Sequence, residues 1–333
     1  MSTLYVTEPG ARIEKEYRRL LVTKDDEVLL RVPLQKITTV VLVGRVGTTT
    51  PALQALLAHR IPLLLVSRTG KLLGRLLPPT AANLPLRQAQ YRRNDDAVFT
   101  LALARAIVSG KIRNQRVLAA RLLRRRGWQD EQSALSLLQK AMMQAKQAES
   151  REALLGIEGW AARLYFSLYR RAFAPQWRFH KRTRRPPKDP VNALLSLGYT
   201  FLGHALMTAL EIVGLDPYLG YFHAEKYARP ALALDLVEEF RAPVVDSLIL
   251  NLINHRILRP EHFETSPSEK TPLLTARGMH IFLYQFSTKL ESTVTVRRIG
   301  RALSYRKLFE VQARELAHSI QGDIDAYRPF RTR

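Results

Sequence analysis

The feature that most constrains the fold is an abrupt change in hydrophobic periodicity near residue 80. Residues 3–77 contain short segments rich in Val, Leu, Ile and Thr, such as RRLLVT, EVLLRV and ITTVVLV, which are typical of β-strands. One short helix, PALQALLAH, interrupts them after Thr50. Beyond the proline-containing connection at 78–85 the periodicity is helical and arginine is more frequent. The sequence predicts an α+β fold, with a small β-rich N-terminal domain followed by a larger all-α domain.

The domain boundaries follow from this change. We predict an N-terminal domain over 1–79, a linker over 80–90 and a helical domain over 91–333. Helices are expected near 86–94, 96–109, 112–126 and 129–147, with Gly110 and Gly127 as their ends.

Further along the chain, Asp189 and Pro190 match the N-cap and first turn of a long apolar helix that ends near Gly214. His204 and Glu211 interrupt its apolar residues, which indicates a buried core helix rather than a membrane span. We expect a helical pair or a bent helix over 271–290, and an amphipathic helix closes the chain.

The charge balance indicates a polyanionic partner. The chain has 52 Lys and Arg against 29 Asp and Glu, a formal net charge of +23. Nucleic acid fits this excess best, because basic contacts to phosphates release counterions. A membrane surface would also attract it, but the sequence shows no exposed apolar helix face that could lie on one.

The chain has no cysteine, which excludes disulfides, thiolate metal sites and cysteine nucleophiles and is consistent with a reducing cytosol. The first residues, MSTLYVTEPG, lack the apolar core of a signal peptide. We therefore expect a cytoplasmic location and no membrane association.

A cluster of acids stands out against this basic background. A predicted helix starts at Pro230, and its residues Asp235, Glu238 and Glu239 lie at i, i+3 and i+4, on one face. Crowded carboxylates need positive charge between them. Either neighbouring arginines or a hard divalent cation, held together with the nearby His223, can supply it.

Another carboxylate is predicted in an apolar setting. Glu158 lies on or beside the stripe formed by Leu154, Ala161 and Tyr165 in a predicted helix. Burying it ionised and unpaired would cost several kcal/mol. It should therefore be paired with a base, protonated or bound to a metal.

Between these two features lies a basic segment, FHKRTRRPPKDP, which two consecutive prolines keep from being helical. A solvated loop and a phosphate-binding arm are both compatible with this composition. Its position between the helix of Glu158 and the segment leading to His223 favours phosphate binding.

Several stretches together resemble one family, the CRISPR-associated integrases called Cas1, which acquire new spacers. They are KIRNQR from Lys111, LLGIEGWAARLYF from Leu154, RRPPKDPVNALLSLGY from Arg184, GYFH at 220–223 and RPALALDLVEEFR from Arg229, and QARELAH and the terminal YRPF add to them. The resemblance covers nearly the whole chain and implies the same two-domain organisation, with dimerisation through the N-terminal domain.

The resemblance also implies a metal site. The family's ligands, carried onto this chain, are Glu158, His223 and an acid of the DLVEEFR segment, for which Glu238 is the first candidate and Asp235 the alternative. The implied cofactor is Mg²⁺ or Mn²⁺. Candidate DNA contacts are basic side chains near this site: His180, Lys181, Arg182, Arg184, Arg185 and Arg229.

The family reaction is a transesterification that joins the 3′-OH ends of prespacer DNA to the edge of a CRISPR repeat, and water in place of the 3′-OH would give endonuclease activity. The implied partners are double-stranded DNA, a second copy of the chain, and the small Cas2 protein bridging two dimers. The competing hypothesis is a non-catalytic, basic nucleic-acid-binding scaffold in which the acids form only ion pairs.

Overall fold

Contacts divide the chain of this computed structural model into two units. The structure describes residues 2–68, 70–78, 83–127, 132–184, 186–223, 227–265 and 271–332. The first unit comprises 1–80 with 258–291, and the second comprises 81–257 with 292–333. Strands dominate the N-terminal part and helices the remainder, which confirms the predicted fold class.

The N-terminal part contains eight of the described strands and one helix: β1 (Ser2–Val6), β2 (Arg12–Glu16), β3 (Arg19–Lys24), β4 (Glu27–Pro33), β5 (Ile37–Val43), β6 (Gly47–Thr48), α1 (Thr50–Ala58), β7 (Leu63–Val66) and β8 (Leu72–Leu76). They form two four-stranded sheets, ordered β1-β5-β7-β8 and β4-β3-β2-β6. In the first sheet β1, β5 and β7 are parallel and β8 is antiparallel to β7.

Both sheets contribute to one hydrophobic core in this part of the chain. Ile13 and Leu20 from one sheet, and Val40 and Leu42 from the other, are almost completely buried together with Leu56 of α1. The Val-, Leu- and Ile-rich segments form strands because alternate side chains can pack into this core.

The remaining elements are mostly helical: α2 (Leu84–Asn94), α3 (Ala97–Arg126), α4 (Gln132–Gln147), α5 (Arg151–Arg170), α6 (Pro190–Val213), α7 (Ala231–Phe240), α8 (Ser247–Asn254), β9 (Phe263–Thr265), β10 (Pro272–Leu274), α9 (Ala276–Glu291), β11 (Thr293–Val296), β12 (Arg301–Ser304) and α10 (Tyr305–Gln321). In the second unit α3 packs against α4, α5 and α7, and α6 packs against α7 and α10. A π-helical turn, Arg241–Asp246, joins α7 to α8.

The predicted helix end at Gly110 is wrong. Helix α3 continues through Gly110 to Arg126, and Gly127 ends it in the left-handed conformation with φ 67°. Gly110 is buried against Pro329, and a Cβ there would lie 2.7 Å from the proline Cβ. The glycine therefore allows a close approach within the helix, which sequence punctuation cannot distinguish from a helix end.

The observed boundaries differ from the predicted ones in two places. Helix α2 begins at Leu84 because the Asn83 side chain accepts the Leu86 N–H at 3.3 Å, so the predicted linker over 80–90 is helical in its second half. Residues 258–291 belong to the first unit, where β9 pairs with β10 and α9 contacts β1. The same observation corrects the helical pair expected over 271–290, whose first residues form β10 because they pair with β9.

Helix α6 has the predicted ends. Asp189 caps it by accepting the Asn192 N–H at 2.9 Å, and Gly214 follows it with φ 99°. It is long and apolar enough to cross a membrane by length and composition alone, but 56% of its most apolar window is buried inside the protein. This burial is typical of a core helix.

Candidate active site

Glu158 lies on α5, whose buried stripe matches the predicted one. Leu154, Ala161 and Tyr165 are fully buried, while the Glu158 side chain keeps 17% of its surface exposed. Its carboxylate pairs with the ammonium group of Lys111 on α3. The predicted need for a positive partner is therefore met by a lysine from a neighbouring helix.

His223 lies on a loop that one carboxylate holds in place. Asp235 on α7 accepts the backbone N–H groups of Tyr221, Phe222 and His223 at 2.7, 3.0 and 2.9 Å. Its Oδ1 also contacts Nδ1 of His223 at 2.7 Å. Because the carboxylate accepts at this position, a neutral imidazole carries its proton on Nδ1 and has the Nε2 lone pair available for a ligand.

The loop also requires a glycine. A Cβ on Gly220 would lie 2.7 Å from the Cβ of Ala231 and 2.8 Å from its carbonyl carbon. The chain can therefore pass close to the start of α7 only with glycine at this position.

Glu238 is the third carboxylate of the site and is almost completely buried. Its Oε2 is 2.5 Å from Nζ of Lys111, and Arg241 approaches both of its oxygens, at 3.0 Å from Nε and 2.9 Å from Nη2. Burial alone would raise the pKa of Glu238, but the charges of Arg241 and Lys111 outweigh burial and hold that pKa well below its usual range. Glu238 is therefore an ionised, acceptor-rich group near neutral pH.

Glu158, His223 and Glu238 converge in space, although they are far apart in the sequence. Lys111 contacts both glutamates, and Nε2 of His223 is 3.8 Å from Oε1 of Glu238. Asp235 lies behind His223, and its four hydrogen bonds match the four acceptor positions of a carboxylate. This arrangement gives Asp235 a positioning role and favours Glu238 over Asp235 as a direct ligand.

The donor set fits a hard divalent cation, because it offers two carboxylates and an imidazole nitrogen. Within the described part of the chain, no group of three or more His, Asp or Glu side chains is placed so that it could hold a metal ion as it stands. The ammonium of Lys111 lies between the two glutamates instead. The residues therefore fit a metal ion chemically, while the position between the carboxylates is held by a lysine.

The comparison with known proteins decides the family. The model of the family described as CRISPR associated protein Cas1 matches residues 4–288. A CRISPR-associated endonuclease Cas1 of Thermus thermophilus is 37% identical over 335 residues, covering 100% of this chain and 98% of the relative. The chain belongs to the Cas1 family.

Solved structures of the family agree with this assignment. A CAS1 protein from Thermotoga maritima superposes with a TM-score of 0.81 at 26% identity, covering 97% of each chain. A chain of a Cas6-RT-Cas1–Cas2 complex superposes with a TM-score of 0.84 at 29% identity, where the match covers 99% of this chain and 36% of the larger one.

The candidate DNA contacts implied by the Cas1 resemblance divide into three groups. His180, Lys181 and Arg184 are exposed. Arg182 points inward: its Nη1 donates to Oδ1 of Asn192 at 2.8 Å and its Nη2 to the Ser196 hydroxyl at 3.1 Å. Arg182 therefore holds the basic loop against α6, and burial lowers its pKa.

Two candidates remain. Arg185 is outside the described residues. Arg229 is half-buried and lines a surface concavity of about 620 Å³ together with the side chains of Tyr91, Tyr218 and Tyr227.

Three features of the site were missed in the sequence. Lys111 is the first residue of KIRNQR, and nothing in the sequence shows that α3 brings it to Glu158 and Glu238. Arg241 could have been found, since it follows Glu238 at i+3, the spacing of helical ion pairs. Glu239 is predicted to share the acidic face with Asp235 and Glu238. In the structure it is fully buried, and its partners differ from those of Glu238.

The partners of Glu239 come from the segment 327–332. Its carboxylate accepts the Tyr327 hydroxyl at 2.5 Å and the Phe330 N–H at 2.7 Å. Asn114 joins the same segment, donating to the carbonyls of Glu239 and Phe330 at 2.8 and 2.9 Å and accepting the Thr332 N–H at 2.9 Å. The segment thus fastens α3 to α7 directly behind Lys111 and Glu238.

A buried aromatic network supports the other side of the site. Asp246, at the end of the π-helical turn, accepts the hydroxyls of Tyr165 at 2.7 Å and Tyr199 at 2.6 Å. The guanidinium group of Arg241 lies 4.2 Å from the centroid of the Tyr199 ring, a cation–π contact. Tyr199 therefore fixes the arginine that keeps Glu238 ionised.

Proposed function

We propose that this protein is a metal-dependent DNA integrase and endonuclease of CRISPR adaptation. The observation that carries the proposal is that Glu158 and Glu238 meet at one ammonium group, with Nε2 of His223 3.8 Å from Glu238, in a chain of the Cas1 family. Its closely related family members are named as CRISPR-associated endonucleases, which agrees with phosphodiester chemistry at this site.

Glu158, Glu238 and Nε2 of His223 would hold Mg²⁺ or Mn²⁺. When bound, such an ion polarises the target phosphate and stabilises the departing oxygen. In the neutral imidazole Asp235 keeps the proton of His223 on Nδ1, so that the Nε2 lone pair is available to the metal ion. Arg241, which stacks on Tyr199, helps to keep Glu238 ionised and in place.

The reaction is a transesterification. The 3′-OH of a prespacer strand attacks a phosphorus atom at the edge of the CRISPR repeat and forms a new phosphodiester bond, while the bond to the repeat's own 3′ oxygen breaks. The proton of the attacking hydroxyl is lost and the leaving oxygen gains one. Attack by water on the same phosphate would nick the DNA strand. This hydrolysis is the proposed endonuclease reaction.

The charge of the molecule supports double-stranded DNA as the substrate. The net charge of +23 and the exposed His180, Lys181 and Arg184 suit phosphate contacts. We place the protein in a homodimer formed through its N-terminal domain, with Cas2 bridging two dimers. The likeness to a Cas6-RT-Cas1–Cas2 complex supports the Cas2 partnership. A protein that acts on these DNA substrates would work in the cytoplasm.

The test is strand joining in the presence of Cas2. A duplex with free 3′-OH ends and a supercoiled repeat-bearing plasmid are incubated with Mn²⁺ and wild type, Glu158→Gln or His223→Ala protein. We expect joined products with wild type only and none with EDTA, while DNA binding by both variants is retained. The matched control is Glu152→Gln, an exposed acid on the same helix, which should join normally.

This assay separates the proposal from a non-catalytic scaffold. A scaffold would bind DNA equally well with EDTA and would give no product that depends on Glu158. Joining that persists in both Glu158→Gln and His223→Ala would remove this site from the reaction.

A further inference from the structure

The ammonium group of Lys111 occupies the position where a shared cation is needed. The side chain of Lys111 is 5% exposed, and it contacts Glu158 on one side and Glu238 on the other. A lysine buried this far needs paired charges. Here both partners are the carboxylates that the proposed function assigns to the metal.

The two glutamates that would bind the ion are already paired with cationic side chains. Two glutamates face two cationic side chains, Lys111 and Arg241. A divalent ion between the same glutamates, with Lys111 unmoved, would bring two cations into contact in a poorly solvated place. The lysine and the metal ion therefore exclude each other from this position.

We propose that Lys111 is a built-in substitute for the metal ion. It holds Glu158 and Glu238 together in the metal-free protein, and it is displaced when the ion binds. This inference rests on the proposed function, because it takes these glutamates as the ligands. It adds a competition within the site that lowers metal affinity and keeps the carboxylates from repelling each other before loading.

The backbone around Lys111 is fixed, whereas its side chain is intrinsically flexible. Helix α3 is fixed on both sides of Lys111, by the packing of Gly110 against Pro329 and by the hydrogen bonds of Asn114 to Glu239 and Phe330. The lysine side chain is a flexible four-carbon stem that ends in a compact ammonium group. Arg241, by contrast, holds Glu238 through two nitrogens and stacks on Tyr199, so it is the fixed cation of the pair.

The first experiment measures Mn²⁺ binding by calorimetry without DNA, in wild type and in Lys111→Met, which keeps the length of the side chain and removes its charge. We expect Lys111→Met to bind Mn²⁺ at least tenfold more tightly. We also expect it to melt at a lower temperature than wild type without metal and to recover most of that difference with Mn²⁺. The control is Lys140→Met, an exposed lysine on α4, which should match wild type in both measurements.

Unchanged or weaker Mn²⁺ binding by Lys111→Met would overturn the inference and leave the proposed function intact. If wild type and Lys111→Met both fail to bind Mn²⁺, the metal site itself is wrong and the inference falls with it.

The second experiment uses wild type alone, so it does not depend on the folding of a variant. The protein is acetylated briefly with a water-soluble ester, with or without Mn²⁺, and each lysine is quantified by mass spectrometry. Lys111 should be protected without metal and at least several-fold more reactive with Mn²⁺, while the exposed Lys140 and Lys188 should not change. Equal protection of Lys111 in both conditions would show that the ion does not displace it.

Discussion

At the scale of single residues, each ligand candidate depends on a neighbour that the sequence does not place beside it. The position of Glu158 on an apolar stripe could be predicted from helical spacing. Its partner Lys111 could not, since their pairing depends on how α3 packs against α5. Likewise, the spacing of Asp235, Glu238 and Glu239 predicts a shared face but not that all three are buried, each with a different set of partners.

Asp235→Asn tests the positioning role of that carboxylate. The side-chain amide would place its NH₂ group against backbone N–H groups from which Asp235 now accepts hydrogen bonds. We expect a loss of about 2 kcal/mol in the free energy of unfolding, and a fall in Mn²⁺ affinity of roughly 10- to 100-fold, as for other residues that orient a metal ligand. Urea denaturation and calorimetry measure the two effects.

Asp95→Asn, at an exposed position, is the control and should change neither quantity. An Asp235→Asn protein with normal Mn²⁺ affinity would show that His223 does not need this carboxylate.

Asp246 predicts a pH dependence of stability. Burial raises its pKa from 3.8 to about 6, although the Tyr199 and Tyr165 hydroxyls and nearby arginines oppose the shift. Because the folded state binds this proton more tightly than the unfolded state, the stabilisation is present in acid and is lost as the pH rises through 6. From pH 5 to pH 7.5 the loss is roughly 1 kcal/mol.

The measurement is urea denaturation of wild type and Asp246→Asn at those two pH values. We expect the decline to be smaller in Asp246→Asn, which cannot titrate. A decline of the same size in both proteins would assign it to other groups.

At the scale of elements, most helices and strands could be predicted from the sequence, but some helix boundaries and connections could not. The caps of α6 were correctly predicted from Asp189, Pro190 and Gly214, because capping is a local property. The continuity of α3 through Gly110 was not, because it depends on a proline more than two hundred residues away in sequence. The π-helical turn that aims Arg241 and Asp246 also has no local signature that we recognised.

Gly110→Ala tests whether the segment 327–332 fastens α3. A Cβ there would lie 2.7 Å from Pro329, whereas a Cβ on Gly156, in the middle of α5, would meet nothing within 4 Å. We expect Gly110→Ala to lower the free energy of unfolding by about 1–3 kcal/mol through overpacking. Gly156→Ala should be neutral or stabilise by up to about 1 kcal/mol, since alanine favours helices.

Chemical denaturation of the two variants provides the comparison. Equal stability of Gly110→Ala and wild type would mean that the segment does not pack tightly on α3.

At the scale of the whole molecule, composition indicated the partner class before any site was known. An excess of 23 positive charges predicts DNA binding that weakens steeply with salt. It does not show which basic side chains face DNA, and the structure changes that list by turning Arg182 inward. The proposed dimer and Cas2 partnership would depend on surfaces of more than one chain, so a single sequence suggests them only through the family.

The double variant Lys181→Ala, Arg184→Ala tests the basic loop. If these two exposed side chains contact phosphates as proposed, their removal should weaken DNA binding at all sequences and reduce the slope of log affinity against log salt by roughly 2. Arg182→Ala should instead destabilise the protein, because Asn192 and Ser196 lose a donor. Fluorescence anisotropy at several salt concentrations gives the slope, and an unchanged slope in the double variant would place DNA elsewhere.

The proposed function depends on Glu158, Glu238 and His223 binding a single divalent ion together. The most direct measurement is pulsed electron paramagnetic resonance of Mn²⁺ bound to the wild-type protein, which detects a coordinated nitrogen through its hyperfine coupling. We predict one such nitrogen in wild type and none in His223→Ala. A bound Mn²⁺ in the wild-type protein with only oxygen ligands would contradict the account.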